Sequence, residues 1–435
     1  MHRPDIDLSE VTWRFPTPDI VELSNGLRVH RFVMPGQKVA SIELSMPISL
    51  ADEPAHLEGV GTVALHALDE ATISHPNMPE LVDTCGASMH ARARVLATRI
   101  GGLVPTRRLD DLLPLLTEML TEPAYNEHDI ANHVEALEAS YRTSLTSSSA
   151  AAARAFRMAL YGPDSRQGRP ISGSPTTLEA ITPDDVHTWQ RRHYAPNGAT
   201  VVIAGEDPFV DLTALEAWSG TAEHSPAPAP FSLQGNVVIV DVPGSVQATM
   251  HVGLRSLSRE DERWASARIA GHIIAGAFAS RLNLELRERL GYTYGVHGGF
   301  VPTSSASIMQ ISTSTRTEVA GDALSRIIST LQLPEDFTDK ELVDAKAFQI
   351  GIAPLAYETS ADITVQAIAL AEAGIGAEFI NSHAEELAKV SSTGASEVWR
   401  ELVDTDALCI AVAGDAATLQ RELADFEPKV IELAR

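Results

Sequence analysis

Cysteine is nearly absent from this chain. Cys85 and Cys409 stand far apart in 435 residues, with no partner spacing for a thiolate metal site or a redox motif. Isolated thiols of this kind are usually small buried side chains, so a disulfide is not expected. Long apolar runs are missing too. None approaches the roughly 18 residues that a membrane helix needs, which excludes a membrane span. Basic residues are scarce: Lys and Arg total 33 against 58 Asp and Glu, a net charge of -25. Such a surface repels phosphate backbones, which excludes nucleic acid and leaves basic peptides as suitable partners. There is no G-x-S-x-G elbow, Walker loop or dinucleotide fingerprint, so the enzyme classes built on them lack support. The first residues, Met1 to Asp7, carry no apolar h-region, which argues against a secretory signal and makes the cytoplasm the expected compartment.

What remains is a globular composition, 44% hydrophobic and 21% charged, in a chain too long for a single core. Internal repetition explains the length. Pro35-Gly36 before the strand-like Val39–Leu44 recurs as Pro243-Gly244 before Val246–Val252, an offset of 208. Pro123, which follows a helical stripe of Leu112, Leu113, Leu115, Leu116, Met119 and Leu120, matches Pro334 at an offset of 211. Trp189 matches Trp399 at 210, and the strand closed by Gly205 matches the one closed by Gly414 at 209. Four pairs in order at almost one offset predict a duplicated domain of about 210 residues, an ordinary domain size. The boundary falls in Ser219–Pro230, whose alternating prolines favour an extended connection. The expected division is residues 1–218, a linker at 219–234, and residues 235–435. Asn25-Gly26 between Val21–Ser24 and Leu27–His30 signals a hairpin, and Ile130, Val134, Leu137 and Tyr141 form a second helical stripe. Strand runs separated by helices, with hairpins, predict an α+β fold of antiparallel-rich sheets packed with helices.

Gly61-Thr62-Val63-Ala64-Leu65-His66-Ala67-Leu68, within Glu58–Glu70, resembles the zinc helix of the M16 metallopeptidases, the pitrilysin and mitochondrial processing peptidase family. That family's G-x-A-H-x-x-E-H segment supplies two histidine ligands and a glutamate that activates the bound water. In this chain Ala64, Ala67 and Leu68 occupy those places, and none of them offers a lone pair, so the resemblance implies no zinc in this chain. Other landmarks follow in the family's order. They are Asp83–Ser88; Tyr161-Gly162 through Gly168-Arg169-Pro170-Ile171-Ser172-Gly173; Leu178–Thr182; and His193–Asn197. The family fold, two similar α/β domains that join two more from a partner around a chamber, agrees with the duplication.

Gly276-Ala277-Phe278-Ala279-Ser280-Arg281-Leu282 and Leu286-Arg287-Glu288-Arg289-Leu290-Gly291-Tyr292-Thr293-Tyr294-Gly295 are similar to a second family segment. There an arginine holds substrate backbone and a tyrosine seven residues on supports the oxyanion; Arg287 and Tyr294 carry that spacing. Gly291 is expected to end the helix bearing Arg287, and Tyr294 to lie on the strand that follows. A guanidinium fork and a phenol both donate to a carbonyl that gains negative charge. The plainer alternatives are an Arg287–Glu288 ion pair and a Tyr294 packed in the core. The other candidates are weaker. His66 with Asp69 and Glu70 would share a helix face, yet has no ligand from a third segment. His128 and His133, near Glu135 and Glu138, lie on a charged helix, and Ser144–Ser149 reads as a polar loop or helix entry.

The resemblance therefore implies the zinc-free subunit of a heterodimeric M16-type endopeptidase. Its partner would bring an intact H-x-x-E-H motif and the zinc, its substrate would be a peptide, and Arg287 and Tyr294 would serve as catalytic and substrate-binding residues. The alternative is an inert structural or interaction protein of the same fold.

Overall fold

A computed structural model describes residues 13–222, 235, 237–303 and 306–433. Most of the expected linker, residues 223–234, lies outside them, as do Met1 to Asp7. Among the described residues, the first half forms a six-stranded sheet from β1 (Asp19–Glu22), β2 (Arg28–Val33), β3 (Val39–Met46), β4 (Ser88–Ala93), β5 (Thr98–Pro105) and β6 (Thr200–Gly205). The second half repeats it with β7 (Val237–Asp241), β8 (Gln247–Ser256), β9 (Val296–Pro302), β10 (Ser307–Arg316), β11 (Cys409–Gly414) and β12 (Lys429–Ile431). Five strands correspond one to one: β2-β6-β3-β5-β4 and β7-β11-β8-β10-β9 share order and sense, one parallel junction followed by three antiparallel ones. Only the sixth strand differs. β1 runs antiparallel to β2, whereas β12 comes from the chain's end and runs parallel to β7.

The repeated residues occupy matching places. Gly36 and Gly244 turn the chain before β3 and β8 with φ of 84° and 74°, a region that favours glycine. Trp189 and Trp399 are buried on the helices Pro183–His193 and Ser392–Leu402, packed against the first and the second sheet respectively. The β1–β2 hairpin forms around a loop wider than a two-residue turn: Leu23 N–H donates to Leu27 O at 2.9 Å, and of the pair only Gly26 takes a positive φ. Asn25 is left to tie the loop down, donating to the carbonyls of Leu215 and Trp218 at 2.8 Å each.

Both faces of each sheet are covered, but not by the same half. Val201 and Ile203 of β6 face helices of their own half, Leu109–Thr121 and Pro183–His193 among them. Val202 and Ala204 point the other way, onto Ile363, Ala367 and Ile368 of the helix Ser360–Ala371, which belongs to the second half. The exchange is mutual. Ile410 and Val412 of β11 face their own half, while Cys409, Ala411 and Ala413 meet Ala152, Ala155 and Phe156 of the first half's helix Ser148–Tyr161. Double cover is why these two strands are apolar at consecutive rather than alternate positions.

Polar contacts fix the crossing helices. Ser41 of β3 pairs with Thr364 at 2.7 Å, and the equivalent Thr249 of β8 pairs with Ser148 at 3.2 Å. Glu372, just past the helix Ser360–Ala371, accepts both Nε and Nη2 of the buried Arg99 at 2.6 Å. Ser147 caps its helix, so Ser144–Ser149 is a helix entry as expected. Both cysteines are buried, and no helix among the described residues is long and apolar enough to cross a membrane. Phe156 stacks on His251 of β8 at 5.6 Å, and a Cβ on Gly253 would meet its ring at 2.9 Å. Phe156→Ala should cost about 3 kcal/mol in urea unfolding. Hydrogen exchange should accelerate in β8 and β11, the sheet of the opposite half; losses confined to the first half would contradict the exchanged cover.

Candidate functional site

Gly59, with φ of 100°, leads into the helix Val60–His66. The N–H groups of Gly59 and Gly61 that a helix start leaves unpaired are taken by the buried carboxylate of Glu53, at 3.2 and 3.1 Å. Arg166, also buried, donates Nε to Glu53 at 2.8 Å and other N–H groups to the carbonyls of Pro170 and Ile171 at 2.8 Å each. Burial pushes the Glu53 carboxyl above its ordinary range, against the opposing pull of Arg166 and the two backbone donors. Arg169 holds Glu58 alongside, with Nε 2.9 Å from its carboxylate. Two glycines let the segments cross: a Cβ on Gly59 would lie 2.5 Å from the Ser172 carbonyl, and one on Gly173 would lie 2.1 Å from that of Glu58. The Gly168–Gly173 landmark is thus the brace of the zinc-like helix.

The three degenerate positions are packed rather than presented. Ala64, Ala67 and Leu68 are buried in the first half's core. They have neither lone pairs nor open space, so these residues do not fit a zinc ion. The helix is also shorter than the pattern suggests. It ends at His66, and the chain then hydrogen-bonds to residues 122–124 instead: Ile73 N–H reaches Glu122 O and Ala124 N–H reaches Ala71 O, each at 2.9 Å. The expected shared helix face of His66, Asp69 and Glu70 is therefore not formed, because Asp69 and Glu70 lie past the helix end. Another grouping appears. His133 Nε2 lies 3.0 Å from Glu70, and its ring meets His66 edge to face at 5.9 Å. Burial, with help from His133, lowers the His66 pKa. Among the described residues no group of three or more His, Cys, Asp or Glu is arranged to hold a metal. Glu135 is exposed and Glu138 binds Arg142 at 2.8 Å.

In the second half, two short π-helices, His272–Gly276 and Asn283–Arg289, flank Ala277–Leu282. Widened turns of this kind are frequent at functional sites. Gly291, at φ of 63°, ends the second as expected. Arg287 does bind Glu288, at 2.8 Å, but it also donates to the Phe278 carbonyl at 3.0 Å and lies over the Phe278 ring at 3.7 Å. The ring itself is 80% exposed.

Tyr294 corrects two expectations. It lies before β9 rather than on a strand, since the backbone there is held by side chains and joins the sheet only at Val296. It is also far from the core, 96% exposed, and makes no hydrogen bond among the described residues. Everything around it is pinned. Tyr292 donates to Asp322 at 2.9 Å, Thr313 donates to the Gly295 carbonyl at 3.0 Å, and buried Asn283 bonds Val296 N–H and O at 2.8 and 3.0 Å. Asn283 and Phe278 support Tyr294 and Arg287 in the structure, and motif spacing did not single them out. An Asn among helix-forming residues carries no period, and its three-way bridging, which includes Ala277 O at 3.0 Å, exists only in the fold.

Comparison with known proteins finds relatives in sequence and in fold. The family model described as peptidase M16 inactive domain matches residues 180–348, which include Arg287 and Tyr294. A Streptomyces coelicolor protein named an uncharacterized zinc protease is 24% identical over 288 residues, 63% of this chain and 62% of its own length. One of the same name from Mycobacterium leprae is 23% identical over 330 residues, covering 69% and 73%. The chain thus matches somewhat under two thirds of the Streptomyces relative. Among solved structures, the peptidase M16 inactive domain from Pseudomonas fluorescens superposes with a TM-score of 0.82 at 19% identity, covering 92% of this chain and 98% of that one. A protease from Helicobacter pylori gives 0.81 at 14%, covering 92% and 100%. The chain titled complex III2 from Candida albicans gives 0.78 at 16%, covering 94% and 98%.

Removing one partner of the Glu53–Arg166 pair should expose how much the brace carries. Arg166→Met strands a buried carboxylate and should cost about 3–5 kcal/mol by chemical denaturation. Adding Glu53→Gln should recover a large part of that loss; equal stability of the single variant and the parent would show the pair to be dispensable.

Proposed function

We propose that this chain, similar over residues 180–348 to the peptidase M16 inactive domain and alike in fold to M16 structures, serves as the zinc-free subunit of a heterodimeric endopeptidase. In this reading a partner with an intact H-x-x-E-H motif contributes the zinc-held water, and this chain contributes donors to the peptide. The observation that carries it is Tyr294, a phenol left almost wholly in solvent on a loop whose neighbours are all anchored. An ordinary tyrosine buries its ring; this one spends ordered backbone on holding it out. Facing a scissile carbonyl, its O–H would donate to the oxygen as negative charge develops, and the Arg287 guanidinium would take a neighbouring substrate carbonyl. Arg287 must then exchange part of its present set of contacts, Glu288 and the Phe278 carbonyl, for substrate. Phe278, stacked beneath it, keeps the guanidinium in place while it does so.

One observation favours the second reading, an inert structural subunit: the Arg287 guanidinium already has protein partners. Kinetics separates the two. The purified chain alone should hold no stoichiometric zinc by elemental analysis and cleave no peptide. In a complex reconstituted with a zinc-bearing M16 partner, Tyr294→Phe should lower turnover roughly a hundredfold, the usual effect of one lost oxyanion donor. Arg287→Ala should raise KM as well, and size-exclusion chromatography should show assembly intact for both. Parental rates from both assembled variants would leave the structural reading standing.

A further inference from the structure

Away from Arg287 and Tyr294, a cavity of about 390 Å³ opens among the second half's helices, where Trp264–Gly271, Asp339–Gly351, Ser360–Ala371 and Phe379–Lys389 converge. Its chemistry is the reverse of the chain as a whole. The net charge is -25, yet no Asp or Glu is among the residues that line it, while Arg259, Arg268, His272 and His383 do. Arg99, Arg166 and Arg281 are each matched with a carboxylate, that of Glu372, Glu53 and Glu341. Arg259 and Arg268 are not, which among the described residues they share with Arg154, set over the Tyr141 ring, and Arg157, which donates to the Gln167 carbonyl. Arg259 makes no hydrogen bond or ion pair among the described residues, and its Nε is buried without a partner. Arg268 gives Nη1 to the Phe300 carbonyl at 3.0 Å and lies 5.8 Å from the Trp264 ring centre, with no carboxylate partner among the described residues. The Tyr357 hydroxyl beside them has no hydrogen bond among the described residues either.

Keeping unmatched guanidinia out of water is costly, and the cost is visible in the groups themselves. Burial lowers the pKa of both arginines; Arg268 adds to the effect at Arg259 against smaller opposing pulls from Tyr357 and the more distant Glu372, and Tyr357 opposes it at Arg268. Burial, then Arg268 and Arg259, push His383 down to about 4, against a smaller opposing pull from Glu386. His383 is therefore neutral at neutral pH. Several ionisable groups perturbed together in one cleft make it a candidate binding site. The remaining walls are flat and apolar: Phe379 stacks on His383 at 5.4 Å and Phe348 on His272 at 4.9 Å.

We propose that this cavity binds an organic carboxylate with an apolar or aromatic body, its oxygens taken by Arg259, Arg268 and Tyr357 and its body laid against the rings of Phe348 and Phe379. The volume suits a small ligand or a chain terminus and is too small for a folded partner. Two sources share that chemistry, a free carboxylic acid and the C-terminal carboxylate of a peptide ending in an aromatic residue. The inference does not depend on the proposed peptidase role, and binding is measured on this chain alone.

Calorimetric titration of the full-length chain with 3-phenylpropionate should give saturable binding that weakens with added salt, and its neutral amide should bind at least about tenfold more weakly. Arg259→Gln should lower affinity for the acid about tenfold or more with an unchanged melting temperature, because that side chain holds nothing else in place. Tyr357→Phe, which keeps the ring, should lower it severalfold. A hexa-alanine peptide extended by a C-terminal phenylalanine distinguishes the sources: affinity matching the free acid assigns the site to peptide ends, and binding of the acid alone assigns it to a small molecule. Equal binding of acid and amide, undiminished binding by Arg259→Gln, or no binding of any probe up to about 10 mM would each overturn the proposal.

Discussion

Each sheet of this protein is closed by a helix that the other half supplies, and the remaining architecture follows from that exchange. Ile363 and Ile368 seal the back of the first sheet, and Ala152 and Phe156 that of the second. The halves cannot separate without exposing a whole apolar face of β6 and of β11, a loss that no surface ion pair would offset. Bidentate Arg99–Glu372 and the Ser41–Thr364 pair give the contact a fixed register, since each buried polar group must find its partner. Rigidity at this seam holds the second half's Tyr294 loop and the first half's zinc-like helix in one frame.

The zinc-like helix has a firm scaffold around positions that carry no metal chemistry. Glu53, Arg166, Gly59 and Gly173 form a buried crossing that tolerates little change, whereas Ala64, Ala67 and Leu68 are ordinary core. The asymmetry has a physical reason. Breaking one side of a buried ion pair strands a charge, while small apolar side chains at the buried positions need only fill space. In the second half Tyr294 stands in solvent while Asn283 and Thr313 bond the neighbouring backbone and Asp322 holds the Tyr292 hydroxyl.

Much of this could be read before any coordinates. The duplication rested on Pro35 and Pro243, Trp189 and Trp399, Gly205 and Gly414, residues whose roles at turns, in packing and at strand ends are local and leave a mark in sequence. The exchange of helices left none, because Ser148–Tyr161 and Ser360–Ala371 are amphipathic in the same way whichever sheet they cover. Periodicity fixes a face and says nothing of its partner. The early end of the helix at His66 was hidden for a related reason: hydrogen bonding to residues 122–124 competes with the next helical turn, and that competitor lies some fifty residues away along the chain. Tyr294 read as a strand residue because it follows the helix end at Gly291, yet the backbone there is bonded by Asn283 and Thr313 and the strand begins at Val296.

The unlike sixth strands bear on how such a chain could arise. The five shared strands and the crossing helix make up a unit that cannot stand alone, since its sheet lacks a back. A single ancestral half would have been stable only as a dimer, each copy lending its helix to the other, as in domain swapping. Fusion of two copies then made the loan permanent. It also freed the two outer edges from symmetry, so that one sheet could recruit its last strand from the beginning of the chain and the other from its end.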